Sequence, residues 1–294
     1  MVHNTKPIFY MLVGIPGCGK TSFGLALADS TTICLSSDAI RKELYGDESC
    51  QESPSTVFGI MHERTLKALK EGYNVVYDAT NITRKSRRGI LNSLPATVEK
   101  MCIVIWAPIE SCIERDRNRS RTVGTNVIDK MLYRFEAPFY DEGFDSIEVK
   151  YSEEVDVKSY FKAYKEALKI SHDNPHHTAD IDKHCYLCGE NLLNKDLPEV
   201  VKFAGYVHDI GKPYAKTFVN TRGETTEVAH YYGHPGVGAW ISYGLAGMTT
   251  DIVTLAWLVS THMAPFINQK YHEGLAAPYK GWIDALHDAD LAAH

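Results

Sequence analysis

The chain has 294 residues, 44% of them hydrophobic and 23% charged, with a formal net charge of −6; it is long enough for two domains and too apolar for a disordered chain. The acidic balance excludes a nonspecific coat for nucleic acid, no window is a long uncharged apolar run, and the first residues lack the basic-then-apolar layout of a secretory leader. Seven scattered cysteines, an odd number, read as reduced thiols of a cytoplasmic protein that does not engage membranes.

Ile8 to Val13 is a short continuous apolar run, the mark of a strand buried on both faces. It enters Gly14-Ile15-Pro16-Gly17-Cys18-Gly19-Lys20-Thr21, and a helix is expected from there to about Asp29. Next come a strand over Thr31–Leu35, a short helix over Asp38–Tyr45, a longer one over Pro54–Glu71, and a strand at Asn74–Tyr77. A basic helix over Thr83–Leu94, a strand at Met101–Trp106, helices from Ile109 and over Asn126–Phe135, and a strand at Ser146–Val149 complete the first half. Strands alternating with helices at this spacing predict a parallel sheet flanked by helices. After Tyr151 the strand signal fades. Helices are expected over Val155–Ile170, then 180–194, 197–209, 235–245, 249–262 and 281–293, which predicts an all-α second domain. The domains are drawn as 1–155 and 156–294.

Charge divides the same way. Residues 1–150 carry 19 basic and 19 acidic side chains, and residues 151–294 carry 12 and 18. Ten of the eleven arginines lie at or before Arg134, and eleven of the thirteen histidines at or after His172. Guanidinium suits bidentate contact with phosphate and imidazole suits divalent transition metals, so the halves are expected to do different chemistry.

Gly14–Thr21 satisfies G-x-x-x-x-G-K-T between a strand and a helix, the context that gives this motif its meaning. Glycines let backbone N–H groups wrap phosphates at the positive end of a helix. Gly14, Gly17, Cys18, Gly19, Lys20, Thr21 and Ser22 are the expected cradle for ATP or another nucleoside triphosphate, with Lys20 on the outer phosphates and the Thr21 hydroxyl on Mg²⁺. Asp38 could accept a proton from an attacking hydroxyl or simply cap its helix; Arg41 shares its helical face. Asp78 and Asn81, after the third strand, could position magnesium or acceptor, or cap the next helix. Arg84, Lys85, Arg87 and Arg88 could meet a polynucleotide backbone or form a solvated face.

These segments resemble the polynucleotide 5′-kinase family of P-loop kinases. The resemblance spans roughly residues 8–150. It implies that Asp38 in Ser36-Ser37-Asp38-Ala39-Ile40-Arg41 activates the acceptor 5′-hydroxyl and that Arg41 holds the acceptor phosphate. Arg115-Asp116-Arg117-Asn118-Arg119-Ser120-Arg121 resembles the family's arginine-bearing lid, with Arg119 or Arg121 acting on the transferred phosphoryl group and Asp116 free to pair with a neighbour.

In the second half, His208-Asp209-Ile210-Gly211-Lys212 resembles the HD phosphohydrolase signature. His184 and Asn174-Pro175-His176-His177 precede it, while His230, His234, His262 and Asp290 follow. The resemblance implies one or two divalent ions, Mn²⁺, Fe²⁺, Ni²⁺, Co²⁺ or Zn²⁺, with His184, His208, Asp209 and Asp290 as core ligands. His234 and His262 complete a second site, His230 is a ligand or a general acid, and Lys212 touches the scissile phosphate. His172, His272, His287 and His294 read as surface residues. Cys185 and Cys188 read as core side chains, although Cys188 shares a helical face with His184.

Together the halves resemble the end-healing proteins of RNA repair. One activity adds a 5′-phosphate to RNA or DNA 5′-OH ends, and the other removes a 2′,3′-cyclic phosphate or 3′-phosphate so that a separate RNA ligase can act. Bacterial proteins that pair these domains carry them in the opposite order. Two alternatives stand beside this reading: a nucleoside or nucleotide kinase with an HD nucleotidase, and an ATP-gated binding or sensor protein. A homodimer is left open.

Overall fold

The computed structural model describes residues 6–50, 52–174 and 180–293. The chain divides into two compact units, Met1–Ile128 with Pro138–Glu153, and Asp129–Ala137 with Glu154–His294. The sequence suggests a single cut after residue 155; segment 129–137 belongs instead with the second unit. Phe135 packs edge-on against Trp240 at 5.3 Å and 85°. Asp129 accepts the Tyr214 hydroxyl at 2.6 Å, and the Ala137 N–H donates to Ser260 Oγ at 3.2 Å.

The first unit alternates β1 (Ile8–Val13), α1 (Lys20–Leu27), β2 (Thr32–Ser36), α2 (Ser37–Tyr45), α3 (Pro54–Lys70), β3 (Asn74–Asp78), α4 (Arg84–Leu91), β4 (Glu99–Trp106), α5 (Ile109–Arg117) and, after the helix α6 (Thr125–Tyr133), β5 (Ser146–Tyr151). All five strands pair in parallel, in the order β2-β3-β1-β4-β5. The central strands bury both faces, which is why their sequences are continuous apolar runs. This parallel sheet flanked by helices, with a glycine loop after its central strand, fits a P-loop fold. Thr83 caps α4 by accepting the Ser86 N–H at 3.3 Å. The helix stops at Leu91, three residues short of the expected end.

Beneath α4 lies a fully buried ion pair. Arg87 donates to Glu142 from Nε at 2.8 Å and Nη2 at 2.6 Å, and from Nη1 to the Asn81 carbonyl at 3.0 Å. Both side chains are 0% exposed, so Arg87, expected on a solvated or nucleic-acid-facing surface, is structural.

The second unit contains α7 (Val157–Ala167), α8 (Ile181–Leu193), α9 (Glu199–Val207), the short α10 (Lys212–Ala215), β6 (Thr217–Val219), β7 (Thr225–His230), α11 (His234–Ser242), α12 (Ile252–Thr261), the short α13 (Ala264–Ile267) and α14 (Gln269–Glu273), and α15 (Tyr279–Leu291). Helix α8 packs on α9 and α15, and α12 packs on α9 and α11. The all-α expectation fails at β6 and β7, which form an antiparallel hairpin. Its turn is built by Asn220, whose side chain accepts the N–H groups of Arg222 at 2.9 Å and Glu224 at 3.0 Å. No helix among the described residues is long and apolar enough to cross a membrane.

Replacing Arg87 with Ala leaves Glu142 buried without its hydrogen-bonded counter-charge, Arg84 being 4.0 Å away. Urea denaturation should show a loss of about 3–5 kcal/mol in the first unit, against less than about 0.5 kcal/mol for Lys85→Ala on the solvent side of the same helix.

Candidate functional site

In the first unit, β1 ends at the phosphate loop and α1 begins at Lys20. Gly17 has φ +83°, and a Cβ there would lie 2.1 Å from the Cys112 carbonyl oxygen, so only glycine fits. The Gly14 N–H donates to the Thr80 carbonyl at 3.1 Å, anchoring the loop's entry to the segment after β3. Cys18 is buried in the loop, Gly19 leads into α1, and Ser22 is exposed on its first turn. The Lys20 ammonium donates to the Ile15 carbonyl at 2.9 Å, folded over the loop that phosphates would enter.

Two carboxylates lie near this loop. Ser36 pairs with Asp78 in the β2–β3 register, so Asp38 starts its helix at the same end of the sheet. Asp78 accepts the Thr21 hydroxyl at 3.0 Å. Burial pushes its pKa up, against the pull of Lys20 and that hydroxyl. Ser36 holds the cap position of α2 and Thr83 caps α4, so neither Asp38 nor Asp78 is a helix cap. Asp38 pairs with Arg41 Nη1 at 2.7 Å and with Arg121 Nη1 at 3.5 Å, and Arg121 also lies 3.7 Å from Glu48.

The remaining expected residues separate. Arg119 is exposed. Asp116, left open as a partner for a neighbouring charge, accepts the N–H groups of Val123 at 3.1 Å and Gly124 at 2.9 Å, closing the arginine loop back on α5. Asn81 is buried with its amide on the Leu12 carbonyl at 2.7 Å, which commits it to the fold. Arg84 grips Asp141 with two hydrogen bonds of 2.7 and 2.8 Å, while Arg88 is exposed.

In the second unit, six residues converge. Three overlapping groups could each hold a metal ion: His184 with His208 and Asp290, Asp209 with His234 and His262, and Cys185 with His208 and Asp209. Asp209 joins them. Its Oδ2 lies 3.5 Å from His184 Nε2 and 3.4 Å from His208 Nε2, and its Oδ1 lies 3.2 Å from His234 Nε2 and 3.7 Å from His262 Nε2. Asp290 Oδ1 is 2.9 Å from His184 Nε2 and 3.4 Å from His208 Nε2. Within each histidine pair the Nε2 atoms are 3.2 Å apart.

The backbone aims these rings. Nδ1 of His184 faces the Ala293 carbonyl at 3.3 Å, His208 that of Gly205 at 2.9 Å, His234 that of Tyr231 at 2.8 Å, and His262 that of Val259 at 2.8 Å. A carbonyl only accepts, so each Nδ1 donates and each Nε2 faces inward, the orientation of a metal-ligating imidazole. Gly211 lets the two halves close, because a Cβ there would lie 2.2 Å from the His234 carbonyl oxygen.

Burial and the neighbouring His234 and His208 push His262 down to about 3, leaving a neutral ring. Burial opposes charge on both His208 and Asp209. Asp209 and Cys188 nevertheless hold His208 well above its ordinary value, and Lys212 and His208 hold Asp209 well below its own. Nε2 atoms 3.2 Å apart are satisfied by a proton or a cation between them, and divalent ions suit a set of imidazoles and carboxylates. Burial pushes the Cys185 thiol up to about 12, against a thiolate ligand, even though Cys185, and not Cys188, is the cysteine grouped with His208 and Asp209.

His230 does not join the cluster. It lies on β7, hydrogen-bonded to Thr226 Oγ1 at 3.1 Å and stacked on Tyr232. His176, His177 and His294 lie outside the described residues. His172, expected at the surface, is buried. Its Nε2 is 3.3 Å from Lys212 Nζ, which is 2.6 Å from Asp209 Oδ2. Its place next to the Asp173-Asn174-Pro175 break, and not any helical periodicity, was the available signal. His272 is likewise buried, on Asp284 at 2.6 Å, and His287 is half-buried.

Residues 9–138, less than half of the chain, match the family model described as AAA domain. The chain is similar to transcription factor bHLH140 of Arabidopsis thaliana, 26% identical over 235 residues that make up 76% of this chain and 23% of that protein; it therefore spans less than a quarter of the relative's length. Among solved structures it is similar to a chain of the Pnkp1/Rnl/Hen1 RNA repair complex, with TM-score 0.39 and 21% identity over 44% of this chain and 43% of that one. A fungal RNA kinase gives TM-score 0.38 at 17% identity, covering 57% and 87%. A gluconokinase from Sinorhizobium meliloti 1021 gives 0.37 at 19%, covering 51% and 85%.

Metal content per chain, measured by mass spectrometry after dialysis against Mn²⁺, should fall by about one ion for His184→Ala or His262→Ala and by about two for Asp209→Ala, as expected for a two-metal site. Equal loading of all four proteins would contradict the assignment.

Proposed function

We propose that this chain heals nucleic-acid ends, combining an ATP-dependent 5′-OH polynucleotide kinase with a metal-dependent hydrolase of 2′,3′-cyclic phosphate or 3′-phosphate ends. One observation carries the reading: a single chain places Asp38, between Arg41 and Arg121, near a P-loop, and holds Asp209 between two histidine pairs in its other unit.

In the first unit, the acceptor 5′-oxygen attacks the γ-phosphorus as the bond to the β-phosphate oxygen breaks, and ADP leaves. Asp38, half exposed and not used as a cap, takes the hydroxyl proton. Lys20 and the loop N–H groups hold the phosphates, the Thr21–Asp78 pair holds Mg²⁺, and Arg41 holds the acceptor phosphate. Arg121 is the lid arginine favoured by position, since it already reaches Asp38 whereas Arg119 is exposed.

In the second unit, divalent metal supplies Lewis acidity and lowers the pKa of water. His184, His208 and Asp290 would hold one ion, His234 and His262 would hold a second, and Asp209 lies within reach of both sets. Lys212, tucked between Asp209 and His172, is placed to meet a phosphoryl oxygen. RNA is preferred over DNA because a cyclic end requires a 2′-OH, and a separate ligase would join the healed ends.

One RNA oligonucleotide bearing a 5′-OH and a 2′,3′-cyclic phosphate, incubated with ATP, Mg²⁺ and Mn²⁺ and read by intact mass, tests both activities. The chain should add a 5′-phosphate and open or remove the cyclic phosphate. Lys20→Ala should abolish only the first change and Asp209→Ala only the second. Arg121→Ala should slow the kinase by about 10³-fold, the scale of an arginine acting on the transferred phosphoryl, with Arg119→Ala near wild type. An unchanged oligonucleotide, with free nucleosides phosphorylated instead, would overturn the reading.

A further inference from the structure

His172 is buried, lies between α7 and α8, and belongs to none of the three candidate ligand groups. Its ring stands edge-on to His184 at 5.5 Å and 84° and to Tyr231 at 6.3 Å and 78°. The backbone that carries it is tied down from two directions. Lys216 Nζ donates to the Ser171 carbonyl and to Asp173 Oδ2, each at 2.6 Å. On the other side, the Ala229 N–H of β7 donates to the Asp173 carbonyl at 2.8 Å, and the Tyr231 hydroxyl donates to the carbonyl of His172 itself. Asp173 takes φ +44° within this segment, a backbone conformation that few residues other than glycine adopt. The return strand of the hairpin and Lys216 together therefore fix one buried imidazole.

That imidazole faces Lys212. A lysine ammonium has three N–H donors and no acceptor. One N–H reaches Asp209 Oδ2 at 2.6 Å and a second reaches His172 Nε2 at 3.3 Å, so Nε2 accepts. The Tyr231 ring, 5.4 Å from Nζ, adds a face that attracts the cation without offering a lone-pair acceptor in its plane. Lysine carries its charge on a flexible stem with a rotatable head. Asp209 alone would leave the ammonium free to swing about a single contact, whereas two fixed acceptors set the direction of the remaining N–H.

We infer that His172 is a positioning residue of the hydrolase site: it holds the Lys212 ammonium so that one N–H stays directed at an incoming phosphoryl oxygen. The inference rests on the phosphohydrolase reading above, which gives Lys212 that oxygen, and adds the residue through which the lysine is aimed. The acceptor atom of His172, and not the bulk of its ring, performs this role.

Isothermal titration of inorganic phosphate into the full chain loaded with Mn²⁺ tests it. Lys212→Ala should weaken phosphate. His172→Phe keeps a ring and removes the acceptor, and should weaken phosphate by about 10-fold, the scale of one hydrogen bond to a charged group. His172→Gln, whose amide oxygen can accept from Lys212, should retain most of the affinity. In a Lys212→Ala background His172→Phe should cost nothing further, because residues that act through one another are not additive. Bound Mn²⁺, counted by mass spectrometry, should be the same in both His172 variants as in the wild type. A loss that adds to that of Lys212→Ala, an equal loss for Gln and Phe, or a loss of Mn²⁺ along with phosphate would each overturn the inference and leave His172 as packing. So would a His172→Phe chain that binds phosphate as the wild type does while Lys212→Ala does not. Phosphate affinity that Lys212→Ala leaves unchanged, or a wild type that binds no phosphate, overturns the underlying reading of Lys212, and the role of His172 falls with it.

Discussion

Asp209 is a buried carboxylate whose two oxygens face different histidine pairs, with Lys212 Nζ 2.6 Å from Oδ2. Burying an ionised carboxylate costs several kcal/mol unless cations and donors surround it, and the second unit is arranged to surround this one. Helix α8 brings His184, the end of α9 brings His208, the starts of α10 and α11 bring Lys212 and His234, the end of α12 brings His262, and the last turn of α15 brings Asp290. Four backbone carbonyls then fix the rings so that their Nε2 atoms point at one place. Every element that packs around α9 thus contributes to the same centre, and the helical core and the donor set are two descriptions of one packing solution.

The first unit obeys a different constraint. A parallel sheet delivers the C-terminal ends of its strands to one edge, and the positive end of α1 lies there too. Asp78 and Asp38 reach that edge from neighbouring strands, while Lys20 and Thr21 reach it from the loop. The close approach of Gly17 to Cys112 holds the loop in place. Under the proposed kinase reading, that shared edge is where a polyphosphate would bind and a hydroxyl beside it would be activated.

Much of this was legible in the sequence because it is local. Strand β1, the glycine loop and α1 follow from an apolar run, a spacing and a periodicity. The set His184, His208-Asp209, His234, His262, Asp290 was implied by the resemblance of His208-Asp209-Ile210-Gly211-Lys212 to the HD signature. What was not legible depends on chain segments far apart. Arg87 looks like its exposed neighbours Lys85 and Arg88 until Glu142, 55 residues on, is placed beneath it. His172 looks like a loop histidine until Lys212 comes beside it. His230 has the right residue type and the right place in the order, but β7 turns its ring to Thr226. The hairpin itself had a local signal, Thr and Val residues flanking Asn220-Thr221-Arg222-Gly223, outweighed by the helical pattern on both sides.

The central claim is that Asp209 is shared by two metal positions. A crystal of the full chain grown with Mn²⁺, with anomalous scattering recorded at the manganese edge, tests it most directly. The account predicts two peaks about 3.5–4 Å apart, the spacing of two-metal sites, one on each side of the Asp209 carboxylate. A single peak that leaves out one histidine pair, or no peak within reach of Asp209, would contradict it.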